Sequence, residues 1–314
     1  MDNNEPIMVS IKCLVYNHAP YLRQCLDGFV MQKTNFRFEA IVHDDCSTDG
    51  SQEIIKEYAA KYPDIIKPIY ETENQYSKHD GSLRRAIDPH LTGKYIAFCE
   101  GDDYWIDPNK LQMQVDYMEE HSECSLCFHN YYIQKGNLKT PAHNYVSESY
   151  TKNEIFFYYP FHTSTILIKK EVVLSEIYRN GPIVLNEDTK LFLASTYFGK
   201  NHGFSRIMSC YRASAGVTKT LLEKKIPYHL KSNIVVLASY YKIKGWERHF
   251  IPKLILISSY QFSNKNFKLF LKTCFISLHY SPYYTLVGIK KVTIVILQKI
   301  RKYLLLHPLF NPQK

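Results

Sequence analysis

Four residues, Glu100-Gly101-Asp102-Asp103, carry the densest chemistry in the sequence. They follow the apolar run Tyr95-Ile96-Ala97-Phe98-Cys99, which reads as a buried strand, and precede Tyr104-Trp105-Ile106-Asp107-Pro108, which cannot prolong it smoothly. Three carboxylates therefore gather at one strand's carboxyl end. A second run, Phe38 to His43, ends in Asp44-Asp45 and leads through Cys46-Ser47-Thr48-Asp49-Gly50 into a helical pattern. In an open α/β sheet, ligands bind at the carboxyl ends of the strands. Two acid groups at one sheet edge repel unless a cation or a donor-rich ligand lies between them. The pattern therefore points to a hard, oxygen-liganded divalent cation, Mn2+ or Mg2+, holding a phosphate-bearing substrate. Asp44, Asp45 and Asp49 also suit plain turn and cap positions, and Glu187-Asp188 the acidic entrance of a helix.

The elements that must position these acids alternate in type. Val9 to Val15 is a β-rich run broken at Tyr16-Asn17-His18-Ala19-Pro20, and Leu22, Cys25, Leu26, Phe29 and Val30 then recur at helical spacing. After Asp44-Asp45, Asp49 with Gln52 three residues on resembles a capping box for a helix reaching about Tyr62. A strand over 65–70, a helix over 82–91 and the strand before Glu100 complete an alternation that predicts a mostly parallel, doubly wound sheet. Beyond it the pattern predicts a helix over 110–121, a strand over 125–130, a Tyr-rich irregular insertion over 131–160 and a strand over 163–168. Arg84 and Arg85, after a polar loop, are within reach of a phosphate or lie on a solvated helix face.

Charge divides the chain. Residues 220–314 hold 16 Lys/Arg against two acids, Glu223 and Glu247, so the formal net charge of +9 resides in the C-terminal third. The expected organisation is a catalytic α/β domain over 1–219 and a basic helical region over 220–314. The basic residues are interleaved with long aliphatics and no nucleic-acid motif is present, which favours an anionic membrane surface as partner over nucleic acid. The longest uncharged stretch in Tyr284 to Leu306 is Val292 to Gln298, too short to span a bilayer, so surface docking is expected, with a helical cap on the catalytic domain as the alternative. Eight cysteines lack a disulfide-framework spacing and read as buried thiols in a reducing compartment. Cys124 and Cys127, near His121 and His129, have no second pair to complete a zinc site. Met1-Asp2-Asn3-Asn4-Glu5 contains no apolar signal core, so a cytoplasmic location is expected, peripheral on the inner membrane face.

Several ordered pieces together resemble the inverting glycosyltransferases of family 2, which have the GT-A fold. These are Val9-Ser10-Ile11 leading to Tyr16-Asn17, Asp44 through Gly50, Gly93 through Ile96 into Glu100 through Trp105, Asn186-Glu187-Asp188, and Tyr211-Arg212. The resemblance covers roughly residues 8–217. It implies that Tyr16, Asn17, Asp44 and Asp45 hold the nucleotide, that Asp102 contacts both nucleotide and metal, and that Asp103 is a second metal ligand. It further implies Asp188 as the general base, with Glu187 and Trp105 on the acceptor side, although Trp105 is equally suited to packing the motif loop. Glu100 stands where the family has Asp, and no His follows Tyr211-Arg212, the region of Ser214. The implied activity is metal-dependent transfer from a nucleotide-sugar, UDP-linked, to a lipid-linked or surface glycan. A catalytically silent glycan- or nucleotide-binding subunit is one rival. A sugar-phosphate nucleotidyltransferase is the other, but Val15 to Pro20 is not the Gly-rich basic loop that enzyme requires.

Overall fold

The computed structural model describes residues 5–78, 80–143, 147–181, 184, 187–213, 234–260 and 267–306. The chain divides into two compact units, Met1–Gly216 and Val217–Lys314. Asn186, Ser214 and the expected boundary near residue 220 lie outside the described residues.

The first unit is an α/β layer built on a nine-stranded mixed sheet. Its strands are β1 Ile7–Val15, β2 Arg37–Asp44, β3 Ile66–Tyr70, β4 Tyr95–Phe98, β5 Tyr104–Trp105, β6 Cys124–Lys135, β7 Leu138–Pro141, β8 Leu167–Lys169 and β9 Lys200–Arg212. The helices are α1 Ala19–Val30, α2 Ser51–Lys61, α3 Ser82–Ile87, α4 Lys110–Glu120, α5 Lys152–Tyr158, α6 Lys170–Leu174, α7 Glu176–Arg179 and α8 Glu187–Ser195. Strand order is β3-β2-β1-β4-β8-β6-β9-β5, with β7 paired to β6. The β3-β2-β1-β4 half is parallel, β8 runs antiparallel to both β4 and β6, and β6 and β9 are parallel.

β1 and β2, central in the parallel half, are almost continuously buried, with Ser10, Lys12, Glu39, His43 and Asp44 as buried polar or charged members. α1 buries Leu22, Cys25, Leu26 and Phe29 against them, the stripe that the i, i+3, i+4, i+7 spacing announces. Register then delivers the site. Val15 pairs with Asp44 and Lys12 with Phe98, so the chain leaves β1, β2 and β4 at one sheet edge. The approach to β4 requires Gly93, because a Cβ there would lie 2.4 Å from the Ser10 nitrogen.

Three elements differ from the sequence-based expectation. α2 begins without a capping box: Gly50, at φ 93°, is its N-cap, Asp49 accepts the Ser51 N–H, and Gln52 turns away to Asp44. The 131–160 insertion is largely ordered. β6 continues to Lys135, Gly136 turns it at φ 58° into β7, and α5 follows with a complete Thr151/Glu154 capping box. Residues 163–165 form a 3-10 turn that leaves only Leu167–Lys169 as strand.

The second unit is helical: α9 Val236–Tyr240, α10 Trp246–Tyr260, α11 Phe267–Tyr280 and α12 Pro282–Leu306. Gly288 lets α12 approach α10, since a Cβ there would come within 2.9 Å of Ile255 and 3.0 Å of Pro252. Among the described residues, no helix is long and apolar enough to cross a membrane.

Candidate active site

The loops after β1 and β2 are laced together before any ligand is considered. Asn17, at φ 56°, donates its N–H to Ser47 Oγ at 2.9 Å and accepts the Thr48 N–H on Oδ1 at 2.8 Å. Asp49 takes the Ala19 N–H at 2.9 Å and the Ser51 hydroxyl at 2.6 Å, while Ser51 Oγ accepts from the His18 N–H. Asn17 therefore shapes the loop with its amide oxygen instead of offering that oxygen to a nucleotide. Tyr16 beside it is 47% exposed and presents a ring face.

The two acids after β2 divide their work differently from the sequence expectation. Asp45 is buried and both its oxygens are taken, by the Gln75 N–H at 2.6 Å and the Tyr76 N–H at 3.0 Å. It fixes the 74–76 loop through one backbone hydrogen bond to each oxygen. Asp44 gives Oδ2 to the Ser47 N–H and the Gln52 amide, but its buried Oδ1 has no partner. A buried unsatisfied acceptor is costly unless a ligand donor fills it, which makes Asp44 the acid of the pair open to a ligand.

Glu100, Asp102 and Asp103 occupy the turn after β4, held down by the Gly101 N–H to Leu14 O at 2.9 Å. Burial first, then the Asp102 charge, pushes the Glu100 carboxyl up to about 7, against the hydrogen bond from Thr163 Oγ1 at 3.0 Å. Asp103 is raised well above the usual carboxylate range by burial and by its two acidic neighbours. Its Oδ1 accepts the Arg212 N–H at 2.9 Å, and Oδ2 stands 3.6 Å from His162 Nδ1. Burial lowers His162 to about 4, so the ring is neutral at pH 7 and compensates no charge. Arg212 packs between Tyr21 and Tyr104 and hydrogen-bonds Gln24 and the Asp102 carbonyl, which makes it a clamp on this turn.

This donor set fits a hard cation: it is all oxygen, crowded and short of positive charge. The Asp102 carboxylate makes no hydrogen bond or ion pair among the described residues, and is the group best placed to ligate; Asp103 keeps only its Oδ2 side. No three His, Cys, Asp or Glu side chains among the described residues form a ready cation cluster, so phosphate oxygens would have to complete the shell. Cys124 and Cys127 are buried free thiols.

Asp188 lies in the first turn of α8. The Tyr159 hydroxyl donates to its Oδ2, and the Thr189 N–H donates to Oδ1 at 2.7 Å. Burial nevertheless raises its pKa, with these hydrogen bonds opposing the rise. The Asp188 charge also makes a small contribution to raising Glu100. Glu187 faces outward and pairs with the buried Lys190 at 3.3 Å. Trp105 does not reach an acceptor. It is 2% exposed, donates Nε1–H to Ser164 O at 2.9 Å, and is wedged between Phe29 and the Lys110 ammonium.

Tyr159, Thr163 and His18 escaped the sequence reading. Each is a single residue in a loop or at a helix end, and only the fold brings it to the acids. His18 lies close over the turn: a Cβ at 101 would lie 2.9 Å from its buried, unpartnered Nδ1.

A mostly parallel sheet, with acids at the carboxyl ends of β2 and β4 and a long β9 closing the cleft, defines an α/β protein of GT-A-like class. The chain belongs to glycosyl transferase family 2, whose model matches residues 10–178. It is 45% identical over 123 residues to an uncharacterized protein of Mycobacterium tuberculosis, a match covering 38% of this chain and only 34% of that relative's length. It is 26% identical over 253 residues to the Escherichia coli UDP-Glc:alpha-D-GlcNAc-diphosphoundecaprenol beta-1,3-glucosyltransferase WfaP, covering 77% of this chain and 95% of that protein. Among solved structures, S. aureus TarS 1-349 in complex with UDP aligns with TM-score 0.56 at 16% identity, over 93% of this chain and 92% of that one. A mannosyltransferase from Pyrobaculum calidifontis in complex with GDP-Man and Mn2+ aligns with TM-score 0.58 at 16% identity, over 93% and 88%. At such identities the likeness is one of fold.

Proposed function

We propose that this protein is a metal-dependent inverting glycosyltransferase, moving a sugar from a UDP-linked donor to a hydroxyl of a lipid-linked or surface-glycan acceptor. The observation that carries the reading is an under-compensated acid turn after β4 together with a separate carboxylate, Asp188, in the first turn of α8 and held by Tyr159. Those are the two roles a displacement at a sugar carbon needs. The leaving diphosphate requires charge neutralisation, and the attacking hydroxyl requires a base that is not tied to the cation.

Tyr16 stacks on the nucleobase and Asp44 Oδ1 accepts from a base N–H. Asp102, with Asp103 beside it in the turn, would hold Mn2+ or Mg2+. Bound there, the cation supplies Lewis-acid neutralisation of the leaving group. Asp188 accepts the acceptor proton as the new bond forms, and its raised pKa brings its basicity closer to the working pH. Glu187, at the mouth of the same helix, faces the acceptor. The similarity to a UDP-glucose-dependent glucosyltransferase and the fold shared with TarS in complex with UDP support UDP as the nucleotide.

The second unit docks this domain on the inner face of the cytoplasmic membrane. Leu271, Phe275 and Leu278 are exposed at i, i+4, i+7 on α11, opposite buried Thr273, Cys274 and Ser277. On α12, Tyr283, Leu286, Ile294 and Leu297 form an exposed stripe with Lys290 in its line. Apolar side chains threaded with cations are the pattern of an interfacial helix.

Calorimetry with UDP decides the donor site. Wild type should bind UDP in Mn2+ and lose most of that affinity in EDTA, and Asp102→Ala should behave like the EDTA sample. Equal binding in all three would overturn the metal-dependent reading.

A further inference from the structure

Away from the acids, a cavity of about 450 Å3 opens between the segment before α5 and the turn after α8. That volume lies within the roughly 300–1,000 Å3 of small-molecule sites. Its walls include Tyr150, Thr151, Lys152, Tyr197, Lys200 and Asn201. The frame is preformed: Asn201 Oδ1 accepts the Tyr150 N–H at 2.8 Å, its Nδ2 donates to Tyr150 O at 2.7 Å, and the Tyr150 ring packs on Phe128.

The charge on these walls is all of one sign. The Lys152 ammonium sits 5.1 Å from the Tyr197 ring centroid, and neither it nor the Lys200 ammonium has an ion-pair or hydrogen-bond partner among the described residues. Glu148 and Glu154 flank the wall in sequence but do not line the cavity, and Glu154 is committed to the Thr151 N–H and hydroxyl. Two uncompensated cations beside aromatic faces, hydroxyls and an amide form a surface suited to a sugar that carries an anion.

Position ties the cavity to the reaction. α5 starts at the cavity and ends at Tyr159, while α8 starts at Asp188 and ends just before Thr196-Tyr197. The two helices thus run between the cavity and the candidate base, and α8, nine residues long, spans about 13 Å. A saccharide reaching Asp188 from the cavity would have to lie along α5 and α8 for at least that length.

We infer that this cavity is a distal acceptor subsite for an anionic saccharide, binding a carboxylate- or phosphate-bearing sugar unit of the chain being extended. The inference rests on the glycosyltransferase reading for its role in catalysis, whereas the binding itself can be measured without turnover. The full chain is titrated by calorimetry with trigalacturonate, with oligomeric glycerol phosphate and with neutral maltotriose. Trigalacturonate or glycerol phosphate should bind at least tenfold more tightly than maltotriose; which of the two does so distinguishes the carboxylate from the phosphate source. Lys152→Ala/Lys200→Ala should lose at least tenfold of that affinity, and Lys152→Arg/Lys200→Arg should retain it. The charge-matched control Lys56→Ala/Lys67→Ala should bind as wild type does. Equal binding of maltotriose, no loss in the double alanine variant, or the same loss in the control would overturn the subsite. UDP binding and UDP-sugar hydrolysis followed on the same wild-type samples report on the donor site alone. Their absence alongside intact saccharide binding would sink the glycosyltransferase reading and leave the subsite standing.

Discussion

At the scale of single residues the chemistry depends on where two carboxyl groups titrate. Asp188→Asn keeps the shape and removes the proposed base, so UDP affinity should stay near wild type while transfer falls by roughly 10² to 10⁴. Near-normal turnover in that variant would move the base elsewhere. The Tyr159 hydroxyl lowers the Asp188 pKa against the rise caused by burial. Tyr159→Phe should therefore shift the acid limb of kcat/KM upward in pH; a purely structural role would lower the rate without moving the limb. Glu100 gives a stability test of opposite sense to an ordinary ion-paired acid. Its pKa rises on folding from 4.5 to about 7, so across that window the folded state binds more protons than the unfolded one, and rising pH destabilises the fold. Relative to Glu100→Gln, wild type should be about equal below pH 4.5 and lose up to roughly 3 kcal/mol by pH 7. Buried histidines such as His162, lowered to about 4, push stability the other way, which is why the difference between the two proteins is the quantity to measure. Parallel denaturation curves at pH 4.5 and 7.5 would contradict the raised Glu100.

At the scale of elements, the site is a property of loops that brace one another. Asp49 accepts from the Ala19 N–H and from Ser51, linking the start of α1 to the start of α2. Asp49→Ala should cost about 1–2 kcal/mol in urea unfolding and also weaken UDP binding, because Tyr16 lies on the loop it anchors. A stability loss with unchanged UDP affinity would detach that loop from the nucleotide. β1, the apolar segments of β2 and β4 and the stripe of α1 were legible in the sequence because burial leaves short β-rich runs and an uninterrupted helical stripe. The acids at the ends of β2 and β4 were legible for the same reason, since register alone places them. What sequence could not supply was the use each acid is put to. Asp44 and Asp45 are chemically identical neighbours, and only the course of the 74–76 loop decides that Asp45 is consumed by backbone amides. β9 lacks an apolar run because it carries Lys200, Asn201, His202 and Arg206, and its pairing with β6 spans more than seventy residues. The tyrosines after residue 130 read as loop although they extend β6, because aromatic residues suit a pleated surface and an exposed loop alike.

At the scale of the whole molecule, an acid-lined α/β unit and a basic helical unit share one chain, and the charge asymmetry is the part of this organisation most visible in the sequence. Exposure adds what composition could not, namely which face of each helix is left to solvent. Phe275 is 78% exposed and Leu297 58% exposed, which is unfavourable in water at about 25 cal/mol per Å2 of apolar surface that stays wet. Lys272, Lys290 and Lys291 lie exposed on the same two helices, and near an anionic bilayer each adds about 1 kcal/mol. Hydrophobic insertion and charge attraction thus act together, and the two can be separated. Co-sedimentation with phosphatidylglycerol-containing liposomes should exceed that with pure phosphatidylcholine severalfold, and 0.5 M salt should remove most of the difference. Phe275→Glu/Leu297→Glu should abolish binding on both compositions, since it places charge where the acyl boundary would lie, whereas Lys290→Ala/Lys291→Ala should weaken binding only to the anionic liposomes. If neither pair changes sedimentation, or if neutral and anionic liposomes bind alike, the apolar stripes are not a lipid-facing surface. The acceptor would then have to reach Asp188 from solution, without a membrane to present it.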